Sequence, residues 1–188
     1  MRRIVLAVLA IAVACGVVAY FVYLPHKQVS APSAQPASVA LALPQVDYST
    51  VAMTKSYSND QYKFSLDMPD TFAARQLPAD DSGATTILME STDRADGVQV
   101  IVSPFSEDLH ALTEARIHQD VPDMTISEPQ PVEIGANYTG LAFKSDNDAF
   151  NGASREVWFV FRGNLYQIST YDRLDTLLKH IFATRKFI

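Results

Sequence analysis

The stretch SREVWFVFRGNLYQIST, residues 154–170, decides the fold because it joins two apolar runs through a turn signal. Gly163-Asn164 is typical of a two-residue hairpin turn, since glycine supplies the positive φ that its first position needs. The predicted pairs across the hairpin are Arg162 with Leu165, Phe161 with Tyr166, Phe159 with Ile168 and Val157 with Thr170. The stretch therefore predicts two long antiparallel strands.

The two faces of this hairpin differ in character because directly opposed residues share a face. One face is continuously apolar and carries Val157, Phe159, Phe161, Tyr166 and Ile168. The other is mixed and carries Trp158, Val160, Arg162, Leu165 and Gln167. A sheet with one solvent-exposed face does not usually place tryptophan there, so we expect a helix over Trp158. The alternative is that Trp158 belongs to a partner-binding patch.

The rest of the chain adds more strands and two helices. Further extended segments are expected at residues 62–68, 84–91, 97–102, 131–134 and 138–144. A first helix should be capped by Ser106 and end at Val121-Pro122, and a second should be capped by Asp172. Many strands with two helices predict an α+β fold, arranged as three α/β/α layers around a mainly antiparallel sheet.

The N-terminus contains an uncharged apolar block, Ile4–Leu24, of 21 residues. As a helix it would extend roughly 31 Å, enough to cross the hydrocarbon core of a bilayer. Arg2 and Arg3 precede the block, and positive flanks stay in the cytoplasm. We therefore predict a signal anchor at residues 1–24, with the C-terminal domain outside the cytoplasm and attached to the cell membrane.

Two alternatives to a retained anchor remain open. A cleaved signal peptide would have a shorter apolar core, about 7 to 15 residues, closely followed by its cleavage site. A lipoprotein would be modified at Cys15, because residues 12–16 loosely resemble a lipobox. Its mature chain would then continue with apolar residues where a polar tether is usual. Cys15 is the only cysteine, so the outer domain cannot contain a disulfide or a cysteine-based site.

Residues 25–56 resemble a tether, and residues 57–188 resemble one folded domain. The tether contains four prolines among alanine, serine and glutamine, and offers no periodic apolar face. The domain contains 11 Lys and Arg against 20 Asp and Glu, a net charge of −9. Such a surface repels phosphate backbones, so nucleic acid is not an expected partner.

No motif predicts catalytic, cofactor-binding or metal-binding residues, and we expect no cofactor. The histidines His110 and His118 are too far apart on a predicted helix to share a metal ion. The loop SDNDAFNG, 145–152, lacks the ligand and glycine positions of a calcium-binding EF-hand. The carboxylate pairs Asp80-Asp81 and Asp93/Asp96 lie in turn-like segments, where Asp is favoured for backbone reasons.

Four segments carry a resemblance to a known family: YKFSLDMPDTF (62–72), GLAF (140–143), GNLYQIST (163–170) and LLKHIFATRKF (177–187). Together they resemble the PsbP-like superfamily, which includes PsbP subunits, Ran-binding Mog proteins and bacterial envelope proteins. The resemblance spans about residues 57–188 and rests on fold signatures, not on active-site motifs. It implies an accessory or scaffolding protein without catalysis.

These observations predict a membrane-anchored, non-enzymatic interaction or accessory module of an envelope assembly, with a protein partner. The second hypothesis is a small-ligand binder with a pocket between helix and sheet. An enzyme with dispersed carboxylates is the third.

Overall fold

The computed structural model describes residues 45–93, 95–150 and 152–187. The strands are β1 (Lys55–Asn59), β2 (Phe64–Met68), β3 (Phe72–Gln76), β4 (Thr85–Ser91), β5 (Gly97–Pro104), β6 (Ser127–Ile134), β7 (Tyr138–Asn147), β8 (Gly152–Phe161), β9 (Asn164–Tyr171) and β10 (Lys186–Phe187). The helices are α1 (Glu114–Asp120) and α2 (Asp175–Ala183), with short 3-10 turns at Asp148–Phe150 and Asp172–Leu174.

Seven strands form one antiparallel sheet in the order β3-β4-β5-β9-β8-β7-β6. The hairpin of β8 and β9 lies at its centre, as its apolar content on both faces requires. Gly140 in β7 is essential to close packing at this centre. A Cβ there would lie 2.7 Å from the carbonyl oxygen of Trp158 and 2.8 Å from Cβ of Phe159. The α+β class with a mainly antiparallel sheet is therefore confirmed.

The hairpin turn differs from the predicted one by one residue. Phe161 pairs with Asn164 and Phe159 with Tyr166, so the turn is Arg162-Gly163 and not Gly163-Asn164. Arg162 and Gly163 have φ of 48° and 73°, the positive values of a type I′ turn. Pairing shifts by two positions along the partner strand, and two is the side-chain period of a strand. The predicted pairs were wrong, whereas the predicted faces were right.

Each face of the large sheet has its own buried cluster. The first contains Val157, Phe159, Phe161, Tyr166 and Ile168 of the hairpin, packed with apolar residues of α2 and β2. The second contains Trp158 and Val160, packed with Ile117 of α1. Trp158 is 8% exposed, so its burial is confirmed, and its cluster combines Ile117 of α1 with residues of the segments on either side of that helix.

A second sheet shares the α2 side and was not predicted. It has the order β1-β2-β10 and is antiparallel throughout. Its middle strand alternates buried and half-buried residues from Phe64 to Met68, which matches the predicted half-buried strand. The covering layer on this side is thus part helix and part sheet.

Both helices begin later than predicted. The helix α1 is capped by Thr113, whose side chain accepts a hydrogen bond from the amide of Arg116, and not by Ser106. Asp172 belongs to a 3-10 turn, and its carboxylate lies 3.6 Å from Nζ of Lys144 instead of capping α2. In both cases a residue with capping chemistry precedes the helix in the sequence, and the helix itself begins several residues later.

The compact unit comprises Asp47–Ile188 and so starts before the boundary predicted at residue 57. Tyr48 explains the difference, since its ring is buried against Phe72 and its hydroxyl donates to Asp96, 2.5 Å away. Asp96 also pairs with Arg173. Within the described part of the chain, no helix is long and apolar enough to cross a membrane. The predicted anchor, Ile4–Leu24, lies outside the described residues.

Candidate functional site: a charged groove beside α2

Two successive residues of β8, Arg155 and Glu156, carry charges into the interior on opposite faces of the sheet. Arg155 is 6% exposed and Glu156 is 1% exposed. Charged side chains are almost never buried this fully unless they are paired. Their surroundings therefore show what each one does.

Arg155 faces α2 and is held there by one ion pair. Its Nε lies 3.0 Å from Oδ1 of Asp175, the first residue of α2. Lys179, one turn further on, lies 2.6 Å from the other carboxylate oxygen, Oδ2. The two terminal nitrogens of Arg155 form no hydrogen bond with any part of the chain that the structure describes, and Oδ1 of Asp175 is buried without a hydrogen-bond partner. The guanidinium of Arg155 thus lies beside α2 with its terminal N–H groups not used in hydrogen bonds.

A groove of about 250 Å³ opens at this guanidinium, between α2 and strands β6, β7 and β8. Its lining combines apolar side chains with polar and charged ones. The lining residues are Gln130, Val132, Ala142, Arg155, Val157, Asp175, Leu178, Lys179, Phe182, Ala183 and Arg185. Three of them are cationic and one is a carboxylate, so the groove is locally positive within a strongly acidic domain.

Arg185, which follows α2, also lines the groove. Its guanidinium lies 3.8 Å from the ring centroid of Phe182 and donates to the backbone carbonyls of Phe182 and Glu133. Burial lowers the pKa of Arg185 from its usual value, but arginine remains charged in proteins. This cation is held by carbonyl oxygens and an aromatic ring rather than by a carboxylate, so its positive charge is not neutralised by an ion pair in the described structure.

Glu156, on the opposite face, is enclosed by hydrogen-bond donors. Its Oε1 accepts from Ser154 at 2.7 Å and from Asn147 at 3.4 Å. Its Oε2 accepts from Ser169 at 2.5 Å and from Nε1 of Trp158 at 3.2 Å. Burial raises the pKa of this carboxyl, and the four hydrogen bonds act against that increase. This carboxylate forms an internal polar network without a cation.

The network has one unused group, Ser145 Oγ, which is buried and has no hydrogen-bond partner in the described structure. Ser145 pairs with Ser154 across β7 and β8. Substrate has no path to this network because its acid is almost completely buried. Its arrangement fixes the neighbouring strands and the indole of Trp158, and it supplies no solvent-facing chemistry.

The other residues that the sequence singled out do not converge on one site. Asp80 accepts from the hydroxyl of Ser82 and from the amides of Ala84 and Ser82, which lowers its pKa and makes it a turn residue. Asp93 accepts from Ser91 and the amide of Ala95 in the same way. These carboxylates shape turns, as expected for Asp in such segments.

The histidines and the 145–152 loop are also dispersed. His110 precedes α1 and stacks on Tyr138, with ring centroids 4.9 Å apart, so the helical spacing assumed for His110 and His118 was wrong. In the loop, Asp148–Phe150 forms a 3-10 turn and Asn147 donates to Glu156. Among residues 45–187, excluding the undescribed positions 94 and 151, no three His, Cys, Asp or Glu residues group together to hold a metal.

A smaller depression of about 160 Å³ lies at the other side of the sheet. It is lined by Phe105, Ser106, Glu107, Asp108, Leu109, Tyr138, Val160, Arg162 and Gly163. Its lining mixes apolar side chains with two exposed carboxylates and one arginine, so it does not concentrate charge of one sign.

Sequence reasoning missed Arg155 and Glu156 because it treated them as the start of a strand. A signal was present, however. The run REVWFVF places two opposite charges directly before apolar residues on both faces of a central strand. A strand that is covered on both faces must bury such charges, and each then needs its own partners.

Comparison with known proteins adds information about the fold. No family model and no curated protein matches the sequence. The structure is similar to the solution structure of cyanobacterial PsbP (CyanoP) from Synechocystis sp. PCC 6803, with a TM-score of 0.50 and 12% sequence identity. The match covers 78% of this chain and 99% of that chain. At this identity the likeness shows the fold alone, and the chain has a PsbP-like fold.

Proposed function

We propose that this protein is a membrane-anchored, non-enzymatic interaction or accessory module of an envelope assembly. The PsbP-like fold supports an accessory role. One observation carries the proposal: both faces of the central sheet are filled by the chain's own side chains, and a positive groove remains open at the surface. A domain whose interior is filled in this way binds other molecules at its surface.

The location follows from sequence reasoning. Ile4–Leu24 has the length and composition of a signal anchor, and Arg2 and Arg3 keep its start in the cytoplasm. The domain is then held outside the cytoplasm on a proline-containing tether. An acidic domain of this kind is not attracted to anionic lipid headgroups, which leaves it available for a protein partner.

Crosslinking of the full-length chain in its native membrane tests this function. The chain is purified gently after crosslinking, and co-purifying proteins are identified by mass spectrometry. We expect a stoichiometric protein partner. Recovery of the chain alone, with a small molecule retained in the fold, would contradict an interaction module.

A second candidate is a small-ligand binder, which the groove between α2 and the sheet favours. Its volume of about 250 Å³ is below the roughly 300–1,000 Å³ of pockets that enclose drug-sized ligands. A metabolite panel scored by melting temperature tests this candidate, since a ligand that binds only the folded state raises Tm. Saturable turnover of a substrate by the full chain would instead support an enzyme.

A further inference from the structure

We propose that the groove beside α2 binds the C-terminal residue of a partner polypeptide, an apolar residue whose free carboxylate is bound by Arg155. The inference rests on the proposed interaction function and names the chemistry of its partner. The groove is defined by its charged residues Arg155, Asp175, Lys179 and Arg185 and by the apolar side chains between them.

The guanidinium of Arg155 has donors available for a carboxylate. Its side chain is 7% exposed, and its Nε lies 3.0 Å from Oδ1 of Asp175, an ion pair without hydrogen-bond geometry, since this oxygen has no hydrogen-bond partner. The two terminal nitrogens of Arg155 form no hydrogen bond within the described chain. A guanidinium with free terminal N–H groups matches the two oxygens of a carboxylate.

The surrounding charges leave room for one more anion. Asp175 is already shared by Arg155 and Lys179, and it is the only carboxylate among the lining residues. The excess of two positive charges favours an anionic ligand. Glu128 and Asp172 lie nearby, but both are paired with Lys144.

The rest of the lining is apolar and selects an apolar group next to the anion. Val132 and Ala142 of the sheet, with Leu178 and Phe182 of α2, form this part of the groove. A volume of about 250 Å³ corresponds to about eight water molecules at roughly 30 Å³ each. This is the size of one residue such as leucine with its carboxylate, and the open groove lets the preceding chain leave into solvent.

Strand addition along β6 is a less suitable mode for the same partner. Pro129 and Pro131 lie in β6, and proline cannot donate to a neighbouring strand. Arg185 already donates to the carbonyl of Glu133 in this strand. Recognition of a chain terminus in the groove does not require a partner strand to pair with β6.

Fluorescence anisotropy with the full-length chain tests the inference. The probe is an N-terminally fluorescein-labelled peptide, Gly-Ser-Gly-Ser-Leu with a free C-terminus, and its matched control is the same peptide amidated at the C-terminus. We expect saturable binding of the acid form. Amidation should weaken binding by about tenfold to a hundredfold, because it removes a charged hydrogen-bond acceptor.

Variants then locate the site. Arg155→Gln should weaken binding of the acid peptide by about tenfold or more. Arg75→Gln removes an equivalent charge from β3, at the far edge of the sheet, and should change binding by less than about twofold. Ala183→Trp is designed to fill the groove and to leave the ion pair of Arg155 intact. It tests the groove independently if Arg155→Gln fails to fold. It should also weaken binding by about tenfold or more.

Four results would overturn the inference. Equal binding of the acid and amide peptides would exclude carboxylate recognition. Competition by free acetate or leucine as strongly as by the peptide would assign the groove to small carboxylates. Unchanged peptide binding by both Arg155→Gln and Ala183→Trp would exclude the groove. If the Arg155→Gln chain still crosslinks to the same envelope partner as the wild type, the inference fails while the proposed interaction function stands.

Discussion

Arg155 and Glu156 are neighbours in one strand, yet their charges are handled in opposite ways. Arg155 has one anionic partner, Asp175, and its remaining N–H groups face an open groove. Glu156 has four uncharged donors and almost no exposure. The first charge is only partly satisfied by the fold, and the second is satisfied entirely within it.

The difference shows that of two neighbouring buried charges, one can have a structural role and the other a role in recognition. A network without solvent access contributes to the arrangement of strands and cannot be reached by a ligand. A charge that is paired with one partner but keeps free donors at a surface retains the capacity to bind. The variants below change one side of this comparison at a time, starting with the largest expected effect.

Glu156→Ala should have the largest effect on stability. It removes the acceptor for Trp158, Ser154 and Ser169 and leaves a cavity in a closely packed layer. We expect the free energy of unfolding to fall by about 3 kcal/mol or more. Equilibrium urea unfolding measures it, and a loss below about 1 kcal/mol would contradict the structural role of this network.

Arg155→Met should have a smaller effect. Asp175 loses its buried partner but keeps Lys179, and its side chain remains 31% exposed. We expect a loss of about 2 kcal/mol, below the range for a fully buried pair. Adding Asp175→Asn should cost less in the Arg155→Met background than in the wild type. Additive losses in this double-mutant cycle would show that the pair is not coupled.

Glu156→Gln should change the pH dependence of stability. Burial raises the pKa of Glu156 in the folded state above its unfolded value of about 4.3. As pH rises from about 4, the unfolded chain releases this proton first, so the wild type loses stability until pH passes the folded pKa. Glutamine cannot titrate, and its amide can donate to Ser154 while its oxygen accepts from Trp158.

The stability of Glu156→Gln relative to the wild type should therefore increase with pH across this window and then level off. Urea unfolding of both chains at a series of pH values measures the difference. Asp80→Asn, in an exposed turn where the carboxyl pKa is lowered, should give the opposite slope. A constant difference between Glu156→Gln and the wild type would contradict the raised pKa.

Lys179→Gln should have the smallest effect on stability. Its side chain is 64% exposed, and its pair with Asp175 is an i,i+4 contact on α2. We expect a change below about 0.5 kcal/mol. The same variant should weaken binding of the acid peptide by about twofold to fivefold, through the lost positive charge. A large loss of stability without a change in binding would show that Lys179 supports the fold and does not contribute to binding.

Much of the fold follows from sequence, because apolar alternation in residues 157–168 determines which face each side chain occupies. The pairing register of β8 and β9 could not be predicted, since either Arg162-Gly163 or Gly163-Asn164 can form the turn and both leave the faces unchanged. The starts of the helices could not be predicted, because Ser106 and Asp172 have the chemistry of caps although α1 is capped by Thr113 and Asp172 lies in a 3-10 turn. β1 and β3 have too few apolar residues to be recognised without their neighbours.

The candidate site was harder to predict for a physical reason. Asp175 lies twenty residues after Arg155 in the chain, and only the packing of α2 on the sheet brings them together. The groove is formed by residues from three strands and a helix, so no local pattern describes it. What the sequence does contain is the pair of charges in a strand with two covered faces.

The most direct test compares Arg155→Gln and Glu156→Gln, two neutral substitutions at adjacent positions. Both full-length chains are checked for folding by circular dichroism and titrated with the labelled acid peptide. We predict that Arg155→Gln weakens binding by about tenfold or more, whereas Glu156→Gln changes it by less than about twofold. Equal loss in both variants, or no loss in either, would contradict the assignment of Arg155 to recognition and Glu156 to the fold.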